Sequence, residues 1–550
     1  MTANHPPSAR AAVQASRLKE EGDKLFKSQK YAAACAKYSA AIELDKDNAV
    51  LWANRGACLW AVANYIDAAR DCEVATRLNP KYTKAWVRLA RCYERVTKYS
   101  DSRDAYIEAM KLLQGDDLSV ADKSLKRQCH EGLKIVLERI ANGSVATFCP
   151  TSDVPQLPWM KAYSMRQEIC KMTKEPASLT SGWILLDAYR QMRKGLDLLK
   201  KIRSGNVSDD PREDEVYGEC GALESMTAGI MICERVMFID IVDFEWRYDM
   251  QVELECRTYK AFREDTLNGV IAAAEAMQAK KGWAAVCLPL TATLRTWILM
   301  AHMADSLEGN VTEALDLFNN AVALLEWAYK NIPEPHRGGL FQRTILRRLK
   351  CLRLECYANA RRRNKAKYSL AVIRSQAKAI LADLDAEGPP AADVTPTHKL
   401  AYYVYPRALA NLMLGSYYDG LGVIASQQGD RVKVHESYAT AAEHLLRAVE
   451  LYPKDDEKHL ETLIYAIDAM LFADAYTVRE ALDALERLRD GVPVVDRLWG
   501  GSANAKVRGT KVFELRMVEL EMRRALEAGE VSMGSIAVRP NIGLDFGGGR

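Results

Sequence analysis

The sequence predicts an all-α fold, an α-solenoid of stacked helical hairpins, and three observations carry that expectation. The first 117 residues superimpose on themselves at a shift of 34. Helix breakers are scarce, with Gly 31 and Pro 18 in 550 residues, about 9% together against an average near 12%. No apolar/polar alternation of strand length competes with the helical periodicity.

Residues 1 to 14, opening MTANHPPSAR, are expected to be a disordered tail and contain no apolar run of secretory length. The repeat then reads as three units, 15 to 48, 49 to 82 and 83 to 116. One small-residue column is Gly22, Gly56 and Ala90; a second is Ala34, Ala68 and Ser102; a third is Ala41, Ala75 and Ala109. Bulky residues keep the same step, as in Leu18, Trp52, Trp86, in Leu25, Leu59, Tyr93, and in Tyr38, Cys72, Tyr106. Small residues let antiparallel helices approach, and the bulky ones fill the space between neighbouring pairs. A single pair cannot hide its apolar face, so the units stack and share a core. Pro80 stops the second helix of its unit, because proline lacks the amide donor and clashes with the preceding turn. Residues Leu118 to Ala141 read as an amphipathic helix capping the stack, giving a three-repeat domain with cap over 15 to 146.

The stretch TFCPTSDVPQLPWM, residues 147 to 160, holds three prolines and is expected to be a linker. Helical periodicity returns over 161 to 386, breaks at the linker 387 to 398 (EGPPAADVTPTH), and resumes over 399 to 530. Residues 531 to 550, ending GLDFGGGR, are expected to be a flexible tail. Echoes of the repeat persist: Ala314, Phe318 and Ala321 keep the second-helix spacing, as do Ala441, Leu445 and Ala448, with Gly415 as the small residue of the preceding helix and Pro453 as the stop. Diverged hairpins of the same type are therefore expected throughout.

These units resemble the tetratricopeptide repeat (TPR). The strings RLKEEGDKLFKSQKYAAACAKYSAAIELD, ANRGACLWAVANYIDAARDC and KAWVRLARCY are similar to the carboxylate-clamp TPR domains of heat-shock co-chaperones. In that family Lys, two Asn, Lys and Arg grip the last Asp and terminal carboxylate of a chaperone tail ending Glu-Glu-Val-Asp. The resemblance carries the clamp onto Lys19, Asn54, Lys84 and Arg88, and places Asp23 where the family has its first Asn. An ionised Asp23 cannot donate and brings a like charge toward an acidic ligand. At ~5 Å and an effective dielectric of ~20 the repulsion is about 3 kcal/mol, reduced by solvent to ~1. Charge-assisted bonds from Lys19, Lys84 and Arg88, each about 1.5–3 kcal/mol, oppose it. The expected peptide-binding residues are thus Lys19, Asp23, Asn54, Lys84 and Arg88. The resemblance implies a non-catalytic partner-binding protein whose ligand is a protein or peptide with an acidic C-terminus, chaperone tails among them.

Two other charge features compete. The segment FQRTILRRLKCLRLECYANARRRNKAK sets Arg343, Arg347, Arg348, Lys350, Arg353, Arg361, Arg362, Arg363, Lys365 and Lys367 against Glu355 alone. It could hold phosphates or RNA, but Ile345, Leu349, Leu352 and Cys356 follow helical spacing and no aromatics interleave for base stacking. An intramolecular acidic partner, such as DDPREDE at 209 to 215, is favoured over nucleic acid. The second feature is Asp240, Asp243, Glu245 and Asp249 in FIDIVDFEWRYD, read as acids paired with nearby arginines or, alternatively, as an enzyme site in the central region.

No H-E-x-x-H, G-x-x-x-x-G-K-[ST], G-x-S-x-G or strand-linked G-x-G-x-x-G occurs, and His435, His444 and His459 are not at metal-binding spacing. No catalytic residue, metal or cofactor is expected. Lys+Arg 76 against Asp+Glu 73, a formal +3, is too balanced for bulk attraction to nucleic acid or membrane. The thirteen cysteines form no C-x-x-C pair; Cys35, Cys58, Cys72 and Cys92 fall on packed columns. A reducing compartment is expected, the cytosol by default, with the nucleus also open to such a chain.

Overall fold

Two helices joined by a tight turn are the elementary unit of this chain. In the first, α1 (Ala9–Lys27) ends just before Gln29, which turns the backbone at φ 59°, and α2 (Tyr31–Leu44) starts two residues later. Lys30 N donates to Leu25 O at 3.0 Å to close that turn. The computed structural model describes residues 9–62, 64–95, 99–113, 119–141, 156–172, 179–206, 214–241, 244–264, 266–307 and 309–539. The chain divides into two compact units, the first made of Met1–Phe148 with Ile239–Tyr248 and Ser306–Gly309, the second of the remaining residues.

In the first unit α1 and α2 are followed by α3 (Ala49–Ala61), α4 (Tyr65–Leu78), α5 (Thr83–Arg95), α6 (Tyr99–Leu112) and α7 (Val120–Ala141). Side chains at the entries cap orphan amides: Asn48 accepts from Val50 N, and Asn64 accepts from Asp67 N. Each small-residue column is a contact surface. A Cβ on Gly22 would stand 2.9 Å from Tyr38 Cε1, and one on Gly56 3.0 Å from Cys72 Sγ, so the same crossing recurs 34 residues on. Ala34, Tyr38, Ala41, Ile42, Leu51 and Cys58 form the first buried cluster, and Cys72, Leu89, Cys92, Tyr106 and Cys129 lie in the next. The helix α7 seals the second cluster, with Gly132 against the Tyr106 ring. A Cβ there would meet Tyr106 Oη at 2.3 Å, and that hydroxyl is already bonded to Glu94 at 3.1 Å. Gly132→Ala is therefore expected to destabilise the protein by about 1–3 kcal/mol despite alanine's higher helix propensity. A thermal melt in which the variant matches or exceeds the parent would refute this packing.

The second unit begins with α8 (Pro158–Ser164), α9 (Arg166–Met172) and α10 (Gly182–Leu199). The strands β1 (Arg203–Asn206) and β2 (Asp214–Tyr217) form a small antiparallel hairpin within the expected all-α fold; four residues per strand leave no alternation to read. Next come α11 (Ala222–Ile232), α12 (Phe244–Tyr259), whose residues up to Tyr248 belong to the first unit, α13 (Leu267–Lys281), α14 (Trp283–Ser306), whose last residue does too, and α15 (Val311–Asn331). Then follow α16 (Arg343–Arg363), α17 (Leu370–Glu387), α18 (Pro396–Lys399), a π-helical turn at Leu400–Val404, α19 (Tyr405–Gln427) and α20 (Arg431–Leu451). The series ends with α21 (Glu457–Phe472), α22 (Val478–Trp499) and α23 (Ala505–Glu527). By length and composition α14 is apolar enough to cross a membrane, and Leu290, Leu294, Ile298 and Ala301 on it are buried inside the fold.

Diverged repeats recur in this unit. Ala314, Phe318 and Ala321 of α15 are buried. In α19 the glycine of the repeat is Gly422, which replaces the expected Gly415: its Cβ would stand 2.9 Å from Tyr438 Cε2, as Gly22 meets Tyr38. Gly429 at φ 74° and the bond from Asp430 N to Ala425 O repeat the turn at Gln29 and Lys30. The hairpin is lengthened at its open end, so Gly415 lies two helical turns early, against Leu445.

Other boundaries also move. Residues 1 to 14 are not wholly a tail, since α1 begins at Ala9. The linker 387 to 398 is secured at both ends, by Glu387 bonded to Arg347 and by Thr397 bonded to Asp187. Residues 531 to 539 of the expected tail are tied down: Val478 N and Arg479 N, donors in the first turn of α22 with no intrahelical partner, are satisfied by Ser535 O at 2.8 Å and Met533 O at 3.1 Å. Arg539 then pairs with Asp468 at 2.7 Å.

Candidate functional site

The first helices of the three N-terminal hairpins carry the expected residues. Lys19 and Asp23 lie four apart on α1, hence on one face, and Lys84 and Arg88 do the same on α5, with Asn54 on α3. Asp23 is the centre of the arrangement. Lys19 Nζ reaches its Oδ2 at 2.7 Å, Tyr38 Oη donates to Oδ1 at 2.6 Å, and Asn54 Nδ2 approaches Oδ1 at 3.4 Å. Arg88 Nη1 donates to Ala53 O at 2.7 Å and approaches Asn54 Oδ1 at 3.4 Å. Lys19, Asp23, Asn54 and Arg88 thus form one chain of contacts across α1, α3 and α5. Lys84, one turn before Arg88, is exposed and bonds to no described residue.

Partial burial favours the neutral form of Asp23, yet the bonds from Lys19 and Tyr38 and the Lys19 charge outweigh it and hold the carboxyl below the usual aspartate range. Burial and the bond to Asp23 push the Tyr38 phenol upward in turn. Asp23 is therefore an internal carboxylate already served by donors that the family resemblance assigns to a ligand. The ion pair with Lys19 is one-third exposed on each side and is worth at most ~1 kcal/mol, so it can be exchanged for another anion. On the α5 side nothing is engaged in that way: both Arg88 bonds use Nη1, and Lys84 is open.

Tyr38 escaped the sequence reading, which placed it on a packing column. Its ring does pack, over Gly22, and its hydroxyl projects beyond to Asp23, the next residue of α1. The signal was a phenol rather than a phenyl in that column.

The other charge features resolve differently. Four cations of α16 are paired internally: Arg343 and Arg347 with Asp383, Arg347 also with Glu387, Arg348 with Glu234, and Lys350 with Glu326 at 2.7 Å. The side chains of DDPREDE, residues 209 to 215, lie outside the described residues. Arg347 and Arg348 are 1% and 4% exposed, so the basic run is partly core. Asp243 and the side chain of Glu245 lie outside the described residues, and Asp249 is exposed and pairs with no described arginine. No cluster of three metal-ligating side chains occurs among the described residues, and twelve cysteines there are unpaired thiols.

The fold defines a helical-repeat module, and the contact chain lies on the first helices of its N-terminal hairpins. More particularly, its N-terminal hairpins are similar to the tetratricopeptide-repeat domains of heat-shock co-chaperones. A family model for the TPR repeat matches residues 22–62. Sperm-associated antigen 1 of Homo sapiens is 26% identical over 253 residues, 44% of this chain and 26% of that protein. The heat-shock cognate co-chaperone sgt12 of Aspergillus fumigatus is 28% identical over 152 residues, 28% of this chain and 42% of that protein. The chain thus spans less than half the length of these relatives. Among solved structures, the first TPR of Spaghetti (RPAP3) bound to the HSP90 peptide SRMEEVD is 26% identical, covering 24% of this chain and 95% of that one with a TM-score of 0.21. Yeast Tom70 is 14% identical, covering 94% of this chain and 99% of that one with a TM-score of 0.26.

Proposed function

We propose that the chain is a non-catalytic interaction protein whose N-terminal groove binds the acidic C-terminal end of a partner, chaperone tails among the ligands. The observation that carries this reading is the chain of contacts in which Lys19 and Asn54 meet one carboxylate, Asp23, and Arg88 joins through Asn54, beside an unengaged Lys84. A site that holds one carboxylate on α1 and keeps cations open on α5 is suited to a second carboxylate there. The HSP90 peptide in the RPAP3 complex has such an end. Cations alone would not select a chain terminus, whereas a lysine and a forked arginine one turn apart can hold the terminal carboxylate and an adjacent acid together.

The test is a titration of the full chain with SRMEEVD as the free acid and as the C-terminal amide. Amidation is expected to weaken binding about tenfold or more, the loss of one charge-assisted contact. Equal affinity for both forms overturns the proposal.

A further inference from the structure

The cations of α5 do not stop at the pair already described. Lys84, Arg88, Arg91 and Arg95 follow at intervals of four, three and four, which places all of them within an arc of roughly 60° on one helix face. Arg91 and Arg95 are exposed, and neither forms an ion pair with a described residue. Both are nevertheless held. The Arg91 guanidinium lies 4.5 Å from the centroid of the Trp60 ring, and the Arg95 guanidinium 4.8 Å from that of Tyr65. Arg95 Nη2 also reaches Tyr65 Oη at 3.3 Å. Trp60 and Tyr65 touch edge to face at 5.9 Å, so the two platforms are one aromatic brace at the turn between α3 and α4.

Neighbouring acids are occupied elsewhere. Glu94 accepts from Tyr106, Glu73 accepts from Tyr93, and Asp67 is held by Asn64 and Arg70. A guanidinium stacked on a ring uses its face and leaves its edge donors outward, and stacking removes part of the rotamer freedom that weakens most exposed arginines. Two such forks, unneutralised and side by side, make an anion subsite. Arg88 and Arg95 are separated by about 10 Å along the helix axis, the span of roughly three extended residues.

We infer that Arg91 and Arg95, braced on Trp60 and Tyr65, form a second anion subsite that takes Asp or Glu side chains of the ligand about three residues before its C-terminus. This rests on the reading that the groove receives an acidic C-terminal peptide, and it assigns the stretch of ligand beyond the terminal carboxylate. The ligand class is then an acidic run rather than a single terminal acid.

The experiment measures fluorescence anisotropy of the full chain with four labelled peptides, SRMEEVD and SRMQQVD, each as free acid and as amide, against the parent and an Arg91→Ala/Arg95→Ala variant whose melting temperature is checked. The parent is expected to favour the glutamate peptide over the glutamine peptide about tenfold, with the preference shrinking as salt rises. In the double variant that preference should fall to near unity while the free-acid preference, set at Arg88, persists. A double variant that retains the glutamate preference, or a parent that never had one, overturns the subsite. Loss of the free-acid preference in the parent overturns the terminal reading alone, because the glutamate-to-glutamine ratio is measured separately. No binding of any peptide overturns both.

Discussion

Arg235→Met is expected to destabilise the protein by about 3–5 kcal/mol, the range for removing one member of a buried ion pair. The Arg235 guanidinium makes a two-pronged contact with Asp456, both bonds at 2.8 Å, and a third contact to Glu457 at 3.4 Å. It also lies 4.1 Å from the centroid of the Trp499 ring. Asp456 is 0% exposed and caps α21 by accepting from Lys458 N at 2.8 Å; Glu457 is 3% exposed and shared with Arg508. Methionine would fill much of the volume, so the cost comes from carboxylates left buried without their cation rather than from a cavity. Chemical denaturation of the parent, Arg235→Met, Asp456→Asn and the double variant forms the cycle that isolates the pair. The double variant should recover part of the loss, since a neutral asparagine in place of Asp456 would retain the cap. A single-variant cost under about 1 kcal/mol would mean that neighbouring cations already neutralise Asp456.

Arg88→Ala is expected to weaken an acidic C-terminal peptide by about 1.5–3 kcal/mol, roughly ten- to a hundredfold, and Asp23→Asn to act in the opposite direction. The argument for Arg88 is its position: tied to Ala53 O and Asn54 through one nitrogen, it presents a fixed fork beside the open Lys84. The argument for Asp23 is electrostatic. Asparagine keeps an acceptor for Tyr38, gains a donor for the ligand, removes the like charge and releases Lys19. The gain is about 1 kcal/mol, near fivefold, because the site is partly exposed and screened. Both variants are compared by calorimetric titration with the same free-acid peptide. Weaker binding by Asp23→Asn would mean that the aspartate's task is to hold Lys19 and Asn54 in position, and the sign assigned to it here would be wrong.

How far the residues alone reach can be judged at particular positions. Gly22, Gly56, Tyr38 and Cys72 reveal the hairpin crossing because each contact repeats at one period, and a repeat is a statement that the chain makes several times. In α19 the same crossing uses Gly422, but a longer helix offers Gly415 as a decoy, and only the ring of Tyr438 lying over one of them decides. The basic run of α16 looks like a surface because charge in a sequence carries no direction. Arg347 and Arg348 point inward to Asp383, Glu387 and Glu234, partners that are distant along the chain.

What the sequence by itself determined is the part governed by local periodicity: helices, their pairing into hairpins, the three-unit register, and which faces of α1, α3 and α5 carry Lys19, Asp23, Asn54, Lys84 and Arg88. What only the tertiary structure decided is which charges meet. Tyr38 and Asn54 converging on Asp23, Arg91 settling on Trp60, and Arg235 finding Asp456 across 221 positions are all set by packing between elements. The physical reason is range. Helix formation and small-residue packing repeat within a few turns, whereas an ion pair or a stacked cation forms wherever folding brings two side chains within a few ångströms, at separations that no period encodes.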